Sequence, residues 1–270
     1  MTAEPGLTGL LRRDRAVLAA ALALLFVLAA IYTVVGAGMD MSAIEMTRMA
    51  DMRDMPASHA PGDWTASYAI LVFAMWWVMM VAMMLPSVAP AVLLYAALLE
   101  RTQDGGSAAP QAVVFLFGYL LAWAGFSLLA MLAQWGLEAA GVVSAGMMTL
   151  LESTAGGLVL LAAGLFQFTP LKGACLATCR SPARFIARHY RRGTLGALRL
   201  GLIHGAYCLG CCWALMVLLF VGGVMNLYWI VGLTLLVAVE KLLPYGDWVA
   251  RIVGAGLIGW GAVIVFDGLV

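Results

Sequence analysis

Residues 197–220, ALRLGLIHGAYCLGCCWALMVLLF, form an apolar run that is long enough to cross the hydrocarbon core of a bilayer as a helix. The run also carries one imidazole and three thiols, which belong to His204, Cys208, Cys211 and Cys212. At about 100° per residue, the histidine and the first two cysteines lie on one helix face, with the third cysteine at its margin. Polar side chains are costly inside a membrane, so this face predicts a site for a soft metal ion.

The rest of the chain has the composition of an integral membrane protein. Of its 270 residues, 64% are hydrophobic and 11% are charged, and the mean hydropathy is +0.99. These values exclude a soluble globular domain. The formal net charge of +1 provides no overall basic surface for nucleic acid. The expected partners are therefore the lipid bilayer and a metal ion, with no nucleic acid.

Apolar runs of about twenty residues predict about seven transmembrane helices. The candidate spans are residues 16–36, 67–87, 112–134, 150–170, 197–220, 224–240 and 248–268. The second span is ambiguous, because apolar residues continue past Pro86 to Leu99. They allow either one long kinked helix or a span followed by an interfacial piece. The predicted fold is an all-α, polytopic membrane helix bundle.

The distribution of basic residues predicts the orientation of this bundle. With the N-terminus inside, thirteen of the fifteen Lys and Arg residues fall in inner segments or at inner helix ends, and only Arg48 and Arg53 lie outside. This imbalance predicts an inner N-terminus and an outer C-terminus in the inner (cytoplasmic) membrane of a bacterium. The first span could alternatively be a signal peptide, although its apolar core is long for one.

Three parts follow from this topology. Residues 1–36 form the N-terminal tail and the first transmembrane helix, and residues 37–66 form an outer Met-rich segment. Residues 67–270 form the helix bundle, which includes a basic cytoplasmic loop at 172–196.

The outer segment carries a run of thioethers in a polar setting. Its candidate ligands are Met39, Met41, Met46, Met49, Met52, Met55 and His59. Thioethers select Cu(I) over harder cations and persist where thiols would oxidise, so the segment predicts an outer site for metal capture. The alternative is an interfacial amphipathic helix, or a loop with a compositional drift toward methionine.

Cys175 and Cys179 form a second group of thiols where the fourth span emerges on the inner side. If the helix continues, positions i and i+4 share one face, and if it breaks at Pro170 the two thiols are still close enough to chelate a metal. Neighbouring Lys172 and Arg180 favour the thiolate, which is the form that binds metal or attacks a disulfide. The alternative is a pair of reduced cytosolic cysteines without a role.

The second span supplies further sulfur atoms. Met79 and Met83 repeat at helical spacing, with Met84 beside them. This stripe is either ordinary packing or a set of ligands at about the depth of Cys208.

Glu240, at the inner end of the sixth span, is a charged residue at the membrane boundary. We expect it to accept a proton or to orient a metal ligand. It could pair with Lys172 on the adjacent inner boundary, or form a boundary ion pair with Lys241.

Five motifs together resemble a known bacterial family. They are AMMLPS (82–87), PLKGACLATCRSP (170–182), CLGCCWALM (208–216), GGVMN (222–226) and EKLLP (240–244). In this order, over roughly residues 65–268, the chain resembles a family of predicted metal-binding integral membrane proteins that is sometimes labelled copper chaperone-like. The resemblance implies a multi-helix membrane fold. It also implies metal ligands at Cys175, Cys179, Cys208, Cys211, Cys212, Met83, Met84, Met216 and Met225.

These patterns predict a membrane protein that binds Cu(I) and hands it on, in copper delivery, uptake or metalloenzyme assembly. The ion would pass from the outer methionines to the second span and then to the cysteines, with a periplasmic or membrane protein as partner. No nucleotide-binding loop is present, so active pumping by this chain alone is not expected. Whether the chain is an enzyme stays open, and a non-enzymatic role is favoured. Zn²⁺ is a less suitable metal. The alternatives are a membrane thiol-disulfide oxidoreductase, and a structural or assembly partner with a silent cysteine cluster.

Overall fold

A computed structural model describes residues 5–36, 38–39, 41–52, 60–102 and 108–268, with side chains from Arg15 onward except that of Thr102. All regular elements in these ranges are helices, which confirms the predicted all-α fold. The helices are α1 Pro5–Val35, α2 Ala43–Arg48, α3 Ala66–Thr102, α4 Ala109–Ala139, α5 Ser153–Phe166, α6 Pro170–Cys179, α7 Pro182–His189, α8 Thr194–Val217, α9 Leu219–Gly222, α10 Leu227–Leu242 and α11 Gly246–Asp267.

The structure gives fewer certain membrane spans than the seven that the sequence predicts. Across the described ranges, five helical segments are long and apolar enough to cross a membrane, in α1, α3, α4, α8 with α9, and α11. Helices α5 and α6 add a sixth span if the pair, bent by 65°, is counted as one. Helix α10 has 16 residues, and at about 1.5 Å per residue it is shorter than the hydrocarbon core. Seven spans and the predicted orientation are therefore not confirmed.

Helix α3 resolves the ambiguity of the second predicted span. Residues 66–102 form one continuous helix, with Pro86 and Pro90 inside it. Proline is tolerated at such positions in a membrane bundle because neighbouring groups and local adjustments satisfy the freed carbonyls. The helix therefore extends from the Met-rich segment to the opposite end of the bundle, where Glu100 forms an ion pair with Arg15 of α1 at 3.1 Å.

Helix α8 lies at the centre of the fold, between α4 on one side and α6 on the other. Glycines let α4 and α8 approach closely, because Gly118 lies against the carbonyl of Leu198 and Gly201 against the carbonyl of Phe115. A side chain at either glycine would overlap these backbone atoms. Helices α5 and α11 form a second close pair. This packing fixes the face of α8 that carries the cysteines against α6.

Candidate metal centre

All five cysteines of the chain converge where α6 packs against α8. We call them the thiol cluster: Cys175, Cys179, Cys208, Cys211 and Cys212. Four of them are buried and Cys179 is partly exposed, and all five are free thiols. The sequence predicts two separate groups, one inside the membrane and one in a cytoplasmic loop. The structure brings them together because residues 170–179 form a helix that folds back onto α8.

Backbone contacts and close packing organise the thiols. The Cys211 thiol donates to the carbonyl of Cys208 at 3.0 Å, and the Cys212 thiol donates to the same carbonyl at 2.9 Å. Across the helix interface, Cys179 and Cys211 lie close enough for their side chains to interact. Cys175 packs over Gly210, where any side chain on α8 would overlap its Sγ atom. The cluster thus joins α6 to α8 at two neighbouring positions, Gly210 and Cys211.

The ammonium group of Lys241 lies among these thiols. Its Nζ atom donates to Cys208 Sγ at 2.8 Å and lies 3.9 Å from Cys212 Sγ. The Tyr119 hydroxyl is 3.0 Å from the same Cys208 sulfur. Lys241 is 7% exposed and Tyr119 is fully buried. A buried cation in this position stabilises negative charge on sulfur, because a charged donor strengthens the hydrogen bond to a thiolate.

Glu240 belongs to a neighbouring and separate polar network. Its Oε2 atom pairs with Lys172 Nζ at 2.7 Å, and both side chains are 1% exposed. Its Oε1 atom accepts a hydrogen bond from Gln167 Nε2 at 3.3 Å. Of the two pairings that the sequence allows, the structure therefore has the one between Glu240 and Lys172. The adjacent Lys241 contacts the thiols instead.

His204 lies one helical turn before Cys208, but its described ring contacts are aromatic. The imidazole packs against Phe115, Tyr119 and Phe185, with ring centroids 5.9, 5.8 and 4.9 Å away. Its Nδ1 atom is buried and has no hydrogen-bond partner among the described residues. No described hydrogen bond joins the imidazole to a thiol, and the predicted role of His204 in binding the metal ion stays a prediction.

The described residues contain no group of three or more His, Cys, Asp or Glu side chains in an arrangement that could hold a metal ion. The contacts of the thiol cluster give the physical reason. Two thiols point toward a backbone carbonyl, and a lysine ammonium occupies the space beside the third. The donor chemistry nevertheless fits a soft ion, because every potential ligand in the cluster is a thiol sulfur.

The methionines of α3 are buried at a depth similar to that of the thiol cluster. Met79, Met83 and Met84 are 0%, 1% and 0% exposed. Trp76 of α3 packs against Phe220 with ring centroids 5.4 Å apart, which fixes the relative height of α3 and α8. From that contact, Met84 lies about 12 Å along α3 and Cys212 about 12 Å back along the chain, at 1.5 Å per residue. No described contact joins these methionines to a thiol.

The outer Met-rich segment is folded onto the bundle at Met46. Helix α2 begins with a capping box between Ser42 and Glu45, and these hydrogen bonds lower the pKa of Glu45 below its usual value. The Thr47 hydroxyl accepts a hydrogen bond from the backbone N–H of Leu227 at 2.8 Å. Met46 is consequently 5% exposed.

Met46 and Met147 line a cavity of about 210 Å³ at this end of the fold. The other methionines of the segment are less enclosed. Met39 and Met41 are partly buried against the core, Met49 is half-buried and Met52 is 59% exposed. Met55 and His59 lie outside the described residues.

A comparison with protein-family models then identifies the class of protein. The family model PpoB2, described as copper chaperone, matches residues 73–264. The chain belongs to this family. The matched range extends from α3 to α11 and includes the thiol cluster, Lys172, Glu240 and Lys241. The resemblance inferred from the sequence motifs is thereby confirmed. No curated protein and no solved structure matches the chain.

Two residues that contact the thiol cluster were not identified from the sequence. Lys241 appeared only as a possible partner of Glu240, and its insertion among thiols depends on the packing of α10 beside α8. Tyr119 lies in an ordinary apolar stretch of α4, where one aromatic residue gives no signal. Helices α4 and α8 pack extensively against each other, and this packing brings the Tyr119 hydroxyl to Cys208.

Proposed function

We propose that this copper chaperone binds Cu(I) at the thiol cluster and passes it to an acceptor, within the inner membrane of a bacterium. The observation that carries the proposal is the convergence of five thiols, two of them in contact with a buried lysine, in a chain of the copper chaperone family. A set of thiol ligands with no carboxylate among them favours Cu(I) over harder ions.

Charge explains why a lysine lies in such a site. Cu(I) held by two thiolates forms a complex with a net negative charge, which is costly to bury without a counter-ion. Lys241, 2.8 Å from Cys208 Sγ, supplies that positive charge. In the absence of copper the same ammonium occupies the space beside the sulfur, so the thiols never lie against an empty cavity. Copper binding then requires the Cys211 and Cys212 thiols to turn away from the backbone carbonyl, while the ammonium stays beside the sulfur atoms as their counter-ion.

The proposed route begins at the outer methionines. Met39, Met41, Met46, Met49, Met52, Met55 and His59 capture the ion, and Met79, Met83 and Met84 carry it to the depth of the cysteines. The route is supported by the position of Met46 in the wall of the cavity that Met147 also lines. The similar depths of Met84 and Cys212 also support it. Thioethers bind Cu(I) more weakly than thiolates, so the ion moves toward the stronger ligands.

The orientation and the partner follow from the charge distribution. We place the N-terminus inside and the C-terminus outside, because thirteen of the fifteen basic residues lie at the predicted inner end. Seven spans, with α5–α6 as a bent span and α10 as a short one, satisfy this orientation. The outer end is then open to a periplasmic or membrane partner protein that exchanges copper with the chain.

Metal analysis of the purified protein tests the proposal. The full chain is purified in detergent under anaerobic, reducing conditions, beside a Cys208→Ser/Cys211→Ser/Cys212→Ser variant. Ala214→Ser, a buried position on the same helix, is the matched control for introducing a hydroxyl. We expect about one copper per chain in the parent and in the control, and none in the triple variant.

The opposite result would favour the oxidoreductase alternative. The proximity of the Cys179 and Cys211 thiols makes this pair the expected site of a disulfide. A parent protein that carries no copper and forms this disulfide on addition of a quinone would contradict the copper proposal.

A further inference from the structure

A crevice with basic walls opens where α6, α7 and α8 meet. Its volume is about 590 Å³, which is within the usual range for sites that bind small molecules. The polar side chains in its wall are those of Thr178, Ser181, Arg184, Arg188, His189 and Tyr207. No carboxylate is among the residues that line it. We call this space the basic crevice.

The basic crevice lies next to the most accessible part of the thiol cluster. Thr178, in its wall, directly precedes Cys179, which is the one cluster cysteine that is partly exposed. Tyr207, in the opposite wall, directly precedes Cys208 and lies one helical turn before Cys211. Cys179 lies close to Cys211, so the buried thiols extend to this edge. A metal ion at Cys179 is thus within one residue of the crevice wall.

Helix α7 presents its charge to the crevice in a fixed orientation. Phe185 and Ile186 are 3% exposed and anchor the helix to the bundle. Arg184 and Arg188, one turn apart, lie on the crevice side, and Arg184 donates to the Ser181 hydroxyl at 2.7 Å. Guanidinium groups bind carboxylates through charge-assisted, often bidentate hydrogen bonds. The walls therefore suit a small ligand that carries carboxylate groups.

We propose that the basic crevice binds a small anionic thiol, which exchanges copper with Cys179. The inference rests on the proposed binding of Cu(I) at the thiol cluster. As the acceptor takes the ion, a bond forms between copper and the sulfur of the incoming thiol, and the bond between copper and Cys179 breaks. The proton that the incoming thiol loses goes to the Cys179 thiolate. Copper remains Cu(I) throughout, so the step needs no oxidant or reductant.

Transfer to glutathione and to its diethyl ester tests this assignment. Both probes present the same thiol at nearly the same size, but the ester lacks the two free carboxylates. The full chain is loaded with Cu(I) in detergent, and the rate of transfer is measured at equal thiol concentrations. We expect faster transfer to glutathione, by roughly threefold to tenfold, because two partly exposed charge pairs each contribute less than about 1 kcal/mol.

Two matched double variants test whether the basic crevice causes the faster transfer to glutathione. Arg184→Gln/Arg188→Gln should slow transfer to glutathione to the rate of the diester and leave transfer to the diester unchanged. Arg191→Gln/Arg192→Gln removes the same charge from exposed positions that do not line the crevice, and it should change neither rate. Copper content is measured for every variant before transfer, so that a loss of loading is distinguished from a loss of exchange.

Three outcomes would overturn the inference. Equal rates for both probes in the parent would show that carboxylates are not recognised, and equal slowing by both double variants would show a general charge effect. A preference that disappears in nanodiscs of phosphatidylglycerol, and persists in phosphatidylcholine, would assign the crevice to anionic lipid headgroups. Failure of the parent to load copper would instead contradict the proposed function, on which this inference rests.

Discussion

Two buried lysines lie near each other at one end of the bundle, and their partners differ in kind. Lys172 pairs with the carboxylate of Glu240 at 2.7 Å, and Gln167 donates a hydrogen bond to the same carboxylate. Lys241 follows Glu240 directly in the sequence, yet it donates to the thiol of Cys208 at 2.8 Å. The Tyr119 hydroxyl is hydrogen bonded to the same sulfur. Each network thus joins a lysine, an acidic group and one neutral hydrogen-bonding side chain.

The difference lies in what the acidic group is when the lysine is removed. A buried carboxylate without its counter-ion must either keep its charge in an apolar environment or take up a proton, and both are costly, whereas a thiol is neutral until it loses its proton to a base or to a metal ion. Lys172 is therefore needed for the fold at all times. If the thiols bind copper as proposed, Lys241 is needed most when the metal is bound, because the sulfur then carries charge. The proposal thus makes Lys172 part of a structural ion pair and Lys241 a counter-ion for the bound metal.

Removing Lys172 should have the largest effect. Lys172→Met leaves Glu240 buried and without its counter-ion, which is expected to lower the free energy of unfolding by about 3–5 kcal/mol. Thermal unfolding of the detergent-solubilised protein measures the change. The double variant Lys172→Met/Glu240→Gln is the control, since it removes both charges and should regain most of the lost stability. A double variant as unstable as the single one would refute the assignment of an ion pair.

Removing Lys241 should affect copper more than the fold. Lys241→Met leaves neutral thiols, so we expect the free energy of unfolding without metal to change by less than about 2 kcal/mol. The affinity for Cu(I) should fall about tenfold to a hundredfold, because a charged hydrogen bond to sulfur is lost. Competition with a Cu(I) chelator measures the affinity. An unchanged affinity, or an unfolding as severe as that of Lys172→Met, would remove the contrast between the two lysines.

The neutral partners should give the smallest effects. Tyr119→Phe removes one hydroxyl from Cys208 and is expected to lower the Cu(I) affinity about twofold to tenfold, with little change in stability. Gln167→Leu is the matched variant in the other network. It should lower stability by about 1 kcal/mol and leave copper binding as it is. The same chelator titration and thermal unfolding apply, and a reversal of the two phenotypes would contradict the division of roles.

Much of the fold was predictable because membrane helices are recognised by length and hydrophobicity alone. The all-α class and the helical nature of most of 197–220 follow from local sequence. The number of spans does not, because α5 and α10 are too short to pass as spans by themselves. Whether such helices cross a bilayer depends on the helices around them.

The candidate site was predictable in its residue types but not in its arrangement. Thiols and thioethers in an apolar chain indicate a soft metal, and the copper chaperone family agrees with that chemistry. Spacing along α8 placed His204 on the same helix face as the thiols, yet the packing of α4 and α7 surrounds its ring with Phe115, Tyr119 and Phe185. Helical periodicity gives the face of one helix and carries no information about its neighbours.

The sequence by itself determined three things: that the chain has the composition of a membrane protein, that its candidate metal ligands are sulfur atoms, and which family it belongs to. Each depends only on residue types and their order. Only the tertiary structure decided which charged group meets which partner. Glu240 and Lys241 are adjacent, and a rotation of about 100° between neighbouring helical positions sends one to Lys172 and the other to Cys208. The bend of 65° between α5 and α6 then carries Cys179 to Cys211. Both outcomes depend on distances between helices, which a linear pattern does not contain.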